Sequence, residues 1–184
     1  MPARIRLARR TTVRRLAPNA RGSMQALVEI VRQIRRGGQD PVVRAQAEEL
    51  VRDLPENNKR REAQAIYNYA LEAIRYTDDP FGVDTLKPAS EVVAEYEVSG
   101  RPVPADCASQ TVLVGSLARA LRIPVRLRVL GDETGFYHIH PELKIHGRWL
   151  SADVTAESAS SPKIRSQAGL GFRAPAAVEI IREV

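Results

Sequence analysis

One cysteine, one tryptophan and three histidines are all that the 184 residues contain of those types, and no long apolar run occurs. A lone cysteine cannot close a disulfide within the chain, which agrees with a reducing, cytoplasmic setting. A membrane-spanning helix needs about 20 consecutive apolar residues, so no membrane association is expected. The N-terminal stretch MPARIRLARRTTVRRLAP is rich in arginine but has no continuous apolar segment, and it does not read as a secretory signal. Three Phe, one Trp and five Tyr offer no evident platform for stacking bases. The hydrophobic fraction of 43% and charged fraction of 27% are those of an ordinary globular chain. At this length folding buries roughly 70% of the unfolded chain's surface, enough for a core without a disulfide or a structural metal.

The net charge of +6 suggests a nucleic-acid binder until it is located. Seven arginines (4, 6, 9, 10, 14, 15 and 21) precede the first acid, Glu29, so residues 29–184 carry only about −1. The basic character belongs to an arm, residues 1–22, ahead of a nearly neutral body, 23–184. Such an arm suits phosphate backbones or another polyanion, or an acidic protein face. A solvated extension accounts for it equally.

Hydrophobic periodicity predicts helices through most of the first half. Met24, Leu27, Val28, Val31 and Ile34 recur at helical spacing, with Ser23 placed to cap them and Gly37-Gly38 to stop them. Asp40-Pro41 opens a second helix with Val43, Ala47, Leu50, Val51 and Leu54 on its apolar side. A third stripe runs through Ala63, Ile66, Tyr67, Ala70, Leu71 and Ile74, and PASEVVAEYEV reads as a fourth, short helix. After Cys107, Val112, Leu113, Leu117, Ala118 and Leu121 mark a central helix that must end before Pro124, with Gly115 as a small contact. Then VRLRVLG and FYHIHPELKI alternate as strands, and His146-Gly147 reads as a two-residue hairpin turn before RWLSAD. Helices followed by at least three strands argue for an α+β fold. The helical part is 23–104, the core 105–155, and 156–184 an extension that starts as loop and ends in a short amphipathic segment. Gly169 and Gly171 within it are a weak phosphate-loop signal, better read as surface loop.

All three histidines, 138, 140 and 146, lie on or beside the predicted hairpin, downstream of the helix that Cys107 heads. A thiolate is a strong nucleophile, favoured at a helix N-terminus beside an imidazole. Asp106 is a good N-cap, but its charge opposes thiol ionisation unless the carboxylate turns into the capping bond. Across the hairpin, His138 and Asp153 approach one another, giving a base, an orienting carboxylate and a helix-borne thiol. His140 and Glu142 share the face of His138, so spacing leaves His140 open as the base. A small buried cysteine and strand histidines would also occur by chance. Zinc held by Cys107 and two histidines finds no support in a second cysteine or paired Cys motif.

The stretches PADCASQTVLVGSLARALRIPVRLRVLG and HIHPELKIHGRWLSADVT resemble the core of transglutaminase-like proteins. Asp106-Cys107, the run Leu121 to Arg126, His138 with Glu142, Gly147-Arg148-Trp149 and Asp153-Val154-Thr155 fall in the family's order and register. YNYALEAIRYTDDP and LKPASEVV resemble the upstream helix and loop more weakly, and the N-terminal helices resemble short versions encoded in phages and prophages. The family's pattern has a Glu four residues after its histidine, so the resemblance, through Glu142, favours His138 over His140. Three departures stand out: Ala108-Ser109 where an acid often follows the cysteine, Val154 for the usual proline, and Pro141 within a strand, which confines that strand to an edge or a bulge.

The resemblance implies a papain-like core, a central helix packed on an antiparallel sheet. It also implies a Cys107–His138–Asp153 triad acting on a carboxamide or peptide carbonyl of a protein or peptide, without a cofactor. The Cys107 N–H would be one oxyanion donor, with Gln110, Tyr96 and Trp149 as candidates for the second. A rival reading keeps the scaffold and drops the chemistry, as in a structural or virion assembly protein that binds partners through its surface and arginine-rich arm.

Overall fold

A computed structural model of the chain describes residues 12–14, 20–77, 84–132, 135–155, 165–166 and 178–184. Four helices precede the one that carries Cys107: α1 (Ala20–Gly37), α2 (Pro41–Val51), α3 (Lys59–Ala73) and α4 (Ala89–Ser99). Asp40 caps α2 by accepting from the Val42 N–H at 3.0 Å, with Pro41 at the first helical position as its missing donor allows. Asn58 caps α3 through the Arg61 N–H. Two helix boundaries depart from the sequence reading. Helix α1 starts three residues ahead of Ser23, which therefore lies inside its first turn and does not cap it. Helix α3 stops at Ala73, because Ile74–Tyr76 turns extended as β2 and pairs in parallel with β4 (Val103–Ala105). That pairing ties the end of α3 to the residues that lead into Cys107.

The stripe that α1 buries is Leu27, Ile30, Val31 and Ile34, whereas Met24 and Val28 are exposed. Its partner is α5 (Cys107–Ala120), whose residues 109–118 are all buried. Small residues permit the close crossing. A Cβ on Gly115 would meet Ile34 Cδ1 at 2.9 Å, and one on Gly37 would meet Ser116 Oγ at 2.2 Å. Gly37 therefore serves helix contact as well as helix termination.

Helix α5 also lies against a five-stranded sheet of order β8-β7-β6-β5-β9, antiparallel throughout. Its strands are β5 (Val125–Asp132), β6 (Gly135–Ile145), β7 (Arg148–Ser151), β8 (Arg165–Ser166) and β9 (Val178–Glu183). The predicted amphipathic C-terminal segment is thus the edge strand β9. The His146-Gly147 turn has positive φ at both residues, 49° and 79°, the combination that matches the twist of a two-residue hairpin. Along β5 and β6 the apolar alternates Val125, Leu127, Val129, Leu143 and Ile145 are buried in the core. The alternates between them carry charge: Arg126 stands opposite Glu142, and Arg128 opposite His140.

Pro141 does not mark an edge strand. Strand β6 is interior, paired on both sides. The register shift in its pairing with β5 falls elsewhere, at Leu130/Gly131. The Pro141 carbonyl accepts from the Ala152 N–H at 2.9 Å, so its ring nitrogen faces the same side, where β7 has already ended at Ser151. The missing donor therefore leaves that pair with one bond of its usual two, at the point where β7 ends.

Within the basic arm, β1 (Thr12–Arg14) pairs antiparallel with β3 (Asp84–Leu86). The other arm residues before α1, and Gly169 and Gly171, lie outside the described residues. Among the described residues no helix is long and apolar enough to cross a membrane.

Candidate active site

Cys107 is the first residue of α5 and is partly exposed. Strand β4 delivers it, and Asp106 caps the helix by accepting from the Ser109 N–H at 2.8 Å. The Asp106 carboxylate is thus turned into the helix terminus. The next donor, the Gln110 N–H, goes to the Asp106 carbonyl. Thr111 pins the same turn to β6 by donating to the Ile139 carbonyl at 3.1 Å. The thiol end of α5 and the histidine strand are therefore held together from one turn inside the helix.

His138 Nε2 lies 2.7 Å from Asp153 Oδ2, and the Cys107 side chain is near enough to the ring to favour its charged form. With Nε2 on the carboxylate, Nδ1 is the nitrogen left for the thiol. Asp153 lies two residues beyond β7 and is held from three directions. Its Oδ1 accepts from the Thr155 N–H at 3.0 Å and from Thr155 Oγ1 at 2.5 Å, while its backbone carbonyl accepts from the Tyr67 hydroxyl of α3 at 3.3 Å. Burial opposes a charge on His138, but the bonds and charges of Asp153 and Cys107 outweigh it and raise the imidazole to about 10. Burial likewise opposes ionisation of Asp153, yet its contacts with both histidines and Thr155 bring it down to about 2.

His140 is placed quite differently. It is 3% exposed, its Nδ1 stands 3.6 Å from Asp153 Oδ2, and neither ring nitrogen makes a hydrogen bond. Burial drives its pKa down to about 4, against the pull of Asp153. The hydrogen bond to Asp153 goes to His138. Simple extrapolation of the hairpin register puts Asp153 opposite His140, so the bond is diagonal, made where the chain has left β7. His138, His140 and Asp153 nonetheless bring one ligand atom each to within 4.8 Å of one another. His146 lies in the exposed turn and takes no part.

Glu142 does not touch His138. It is fully buried, with Oε2 accepting from Arg126 Nε at 2.5 Å and Oε1 at 3.3 Å from Arg128 Nε, an ion-pair distance without hydrogen-bond alignment. It locks β6 to β5 two turns of the pleat from the histidine. Of the three candidates for a second oxyanion donor, Gln110 lines a shallow recess together with Cys107, Thr111, His140 and Asp153. Tyr96 instead packs edge-on against Tyr69, and Trp149 lies beneath Arg126 and Lys144. Thr155 and Tyr67 are the positioning residues that spacing did not single out. Asp-x-Thr is the one local signal that could have done so, since a hydroxyl two residues on reaches back to a carboxylate.

The family model of the transglutaminase-like superfamily matches residues 44–154, from α2 to the carboxylate beside His138. The chain belongs to the transglutaminase-like superfamily. Its α+β architecture, a central helix on an antiparallel sheet, is that of the superfamily core, with α1 and β9 outside the matched segment. One solved structure, named a "putative protease" from Parabacteroides distasonis, superposes with a TM-score of 0.55 at 14% identity, covering 87% of this chain and 32% of that one. Another, a "putative cysteine protease" from Cytophaga hutchinsonii, gives 0.46 at 17% identity over 77% of this chain and 47% of that one. The chain thus spans under half the length of either protein. Both likenesses are to bacterial proteins, and neither bears on a phage or virion setting. No curated protein matches the sequence.

Proposed function

We propose that the protein is a cysteine acyl-transfer enzyme of the protease or amidase kind, with Cys107 as nucleophile, His138 as base and acid, and Asp153 as orienter. One observation carries the reading: His138 is bonded through Nε2 to a buried carboxylate that shares a recess with the thiol at a helix N-terminus. A core histidine needs only one partner to be satisfied. A catalytic one needs an acceptor that fixes its tautomer and a nucleophile on the far side.

The chemistry follows from the geometry. The Cys107 sulfur attacks the carbonyl carbon of a peptide or carboxamide, its proton having passed to His138. The C–N bond breaks as His138 returns that proton to the leaving amine, which leaves a thioester on Cys107. Water or an amine, deprotonated by His138, then attacks the thioester and frees the thiol. Asp153 stabilises the imidazolium throughout, and the Thr155 and Tyr67 bonds keep it in place. The Cys107 and Ala108 N–H groups, which Asp106 does not take, and the Gln110 side chain are the donors assigned to the oxyanion. Protein or peptide substrates are those the superfamily suggests.

The test is the rate of Cys107 alkylation against pH, in the wild type and in His138→Ala. The wild-type thiol is expected to be alkylated readily at neutral pH. His138→Ala should lose at least tenfold at neutral pH, a conservative share of the ~10²–10⁴ that a positioned base contributes. A thiol that ignores His138 would overturn the proposal and leave a transglutaminase-like scaffold that works by binding.

A further inference from the structure

We infer that the centre is also an inhibitory site for a divalent first-row metal of the zinc class, held by His138, His140 and Asp153. His140 is the observation that acyl transfer leaves unexplained. A buried imidazole loses both of its water hydrogen bonds, and a native interior normally replaces at least one. Here neither nitrogen is replaced, although the ring is 97% buried and its Nδ1 is aimed at the carboxylate that serves His138. The ring centroids of the two histidines are 5.4 Å apart and tilted by 34°, so both present a nitrogen to one oxygen.

The spacing suits a small ion. Around tetrahedral zinc with bonds of about 2.0–2.2 Å, neighbouring ligand atoms lie about 3.3–3.5 Å apart. The His140–Asp153 separation of 3.6 Å is already close to this. The His138–Asp153 separation of 2.7 Å must open by about half an ångström, as the proton between them is released and the ion takes its place. Two imidazoles and one carboxylate select zinc-class ions over magnesium or calcium, which prefer oxygen alone. The sequence had argued against zinc for want of a second cysteine. The missing third ligand is Asp153, which only the fold brings to the histidines.

Inhibition, unlike binding, rests on the proposed triad: an ion on His138 Nε2 and Asp153 removes both base and orienter from Cys107. Binding is tested by calorimetric titration of Zn²⁺ into the chelator-treated full chain, as wild type and as Cys107→Ala, which removes the competing thiol. One equivalent is expected in each, with affinity reduced at least tenfold in Cys107→Ala/His140→Asn. If that variant does not melt cooperatively, Cys107→Ala/Asp153→Asn is read instead. No binding, or binding undiminished in the folded variant, overturns the site. Inhibition is tested by Cys107 alkylation in the wild type, which one equivalent of Zn²⁺ should suppress and chelator restore. Bound zinc that leaves alkylation untouched overturns inhibition. Titration reads no activity, so an inert thiol would refute the triad without touching the metal site.

Discussion

Replacing Glu142 should unfold the protein far more readily than it alters the chemistry. The side chain is fully buried, and it neutralises two guanidinium groups of β5 whose side chains are only 15% and 18% exposed. At an effective dielectric near 20, each charge pair at about 3 Å is worth roughly 5 kcal/mol before desolvation. Most of that is cancelled by the cost of burying the ions, yet removing one partner from a buried ion pair typically costs about 3–5 kcal/mol. Arg126 loses least, because it also lies over Trp149 at 4.6 Å. Glu142→Ala is therefore expected to cost about 4 kcal/mol. With a urea slope of about 2 kcal/mol/M, the unfolding midpoint falls by about 2 M at unchanged slope. Glu142→Gln, which can still accept from Arg126, should lose less. The assay is equilibrium urea unfolding alongside Cys107 alkylation of the folded fraction. A loss below about 1 kcal/mol, or alkylation abolished while stability is kept, would refute the assignment of Glu142 to strand pairing.

The metal-free protein should be most stable near pH 6.5. His140, lowered from 6.5 to about 4, binds its proton more readily unfolded, so stability falls with acid across that window by about 3 kcal/mol at 1.36 kcal/mol per pH unit. Asp153, lowered from 3.8 to about 2, contributes above 3.8 and loses that as pH falls towards 2. His138, raised from 6.5 to about 10, contributes fully below 6.5 and less with each step towards 10. Melting temperature against pH checks this, and an acid limb unchanged in His140→Gln would count against it. Gly115→Ala should destabilise by about 1–3 kcal/mol by pressing on Ile34. Ile34→Val should recover part of it, and additive losses by denaturant unfolding would argue against that contact. Thr155→Val should slow Cys107 alkylation roughly tenfold and lower the melting temperature by a few degrees, because a hydrogen bond to a buried charged group is lost; unaltered alkylation would remove Thr155 from the positioning set. Deleting residues 1–11, with four of the arm's seven arginines, should weaken any polyanion affinity that falls steeply with salt, as read by titration with heparin at two ionic strengths.

Local chemistry was legible in the chain itself. Asp40, Asp106 and His146-Gly147 act through their immediate neighbours, so the α2 and α5 starts and the hairpin turn could be read directly. The alternation of β5 and β6 likewise announced a half-buried sheet. Non-local matters were not legible. The end of α3 depends on β4, thirty residues away, and the buried stripe of α1 is chosen by contact with α5. Pro141 read as an edge marker because a sequence does not show on which side of a strand its neighbour has ended. Spacing could not choose between His138 and His140, which share a face by period two. Tertiary structure assigned the Asp153 bond to one and left the other buried without a partner. The reason is geometric: Asp153 lies past the end of β7, where the ladder no longer sets its position, and Tyr67 and Thr155 do.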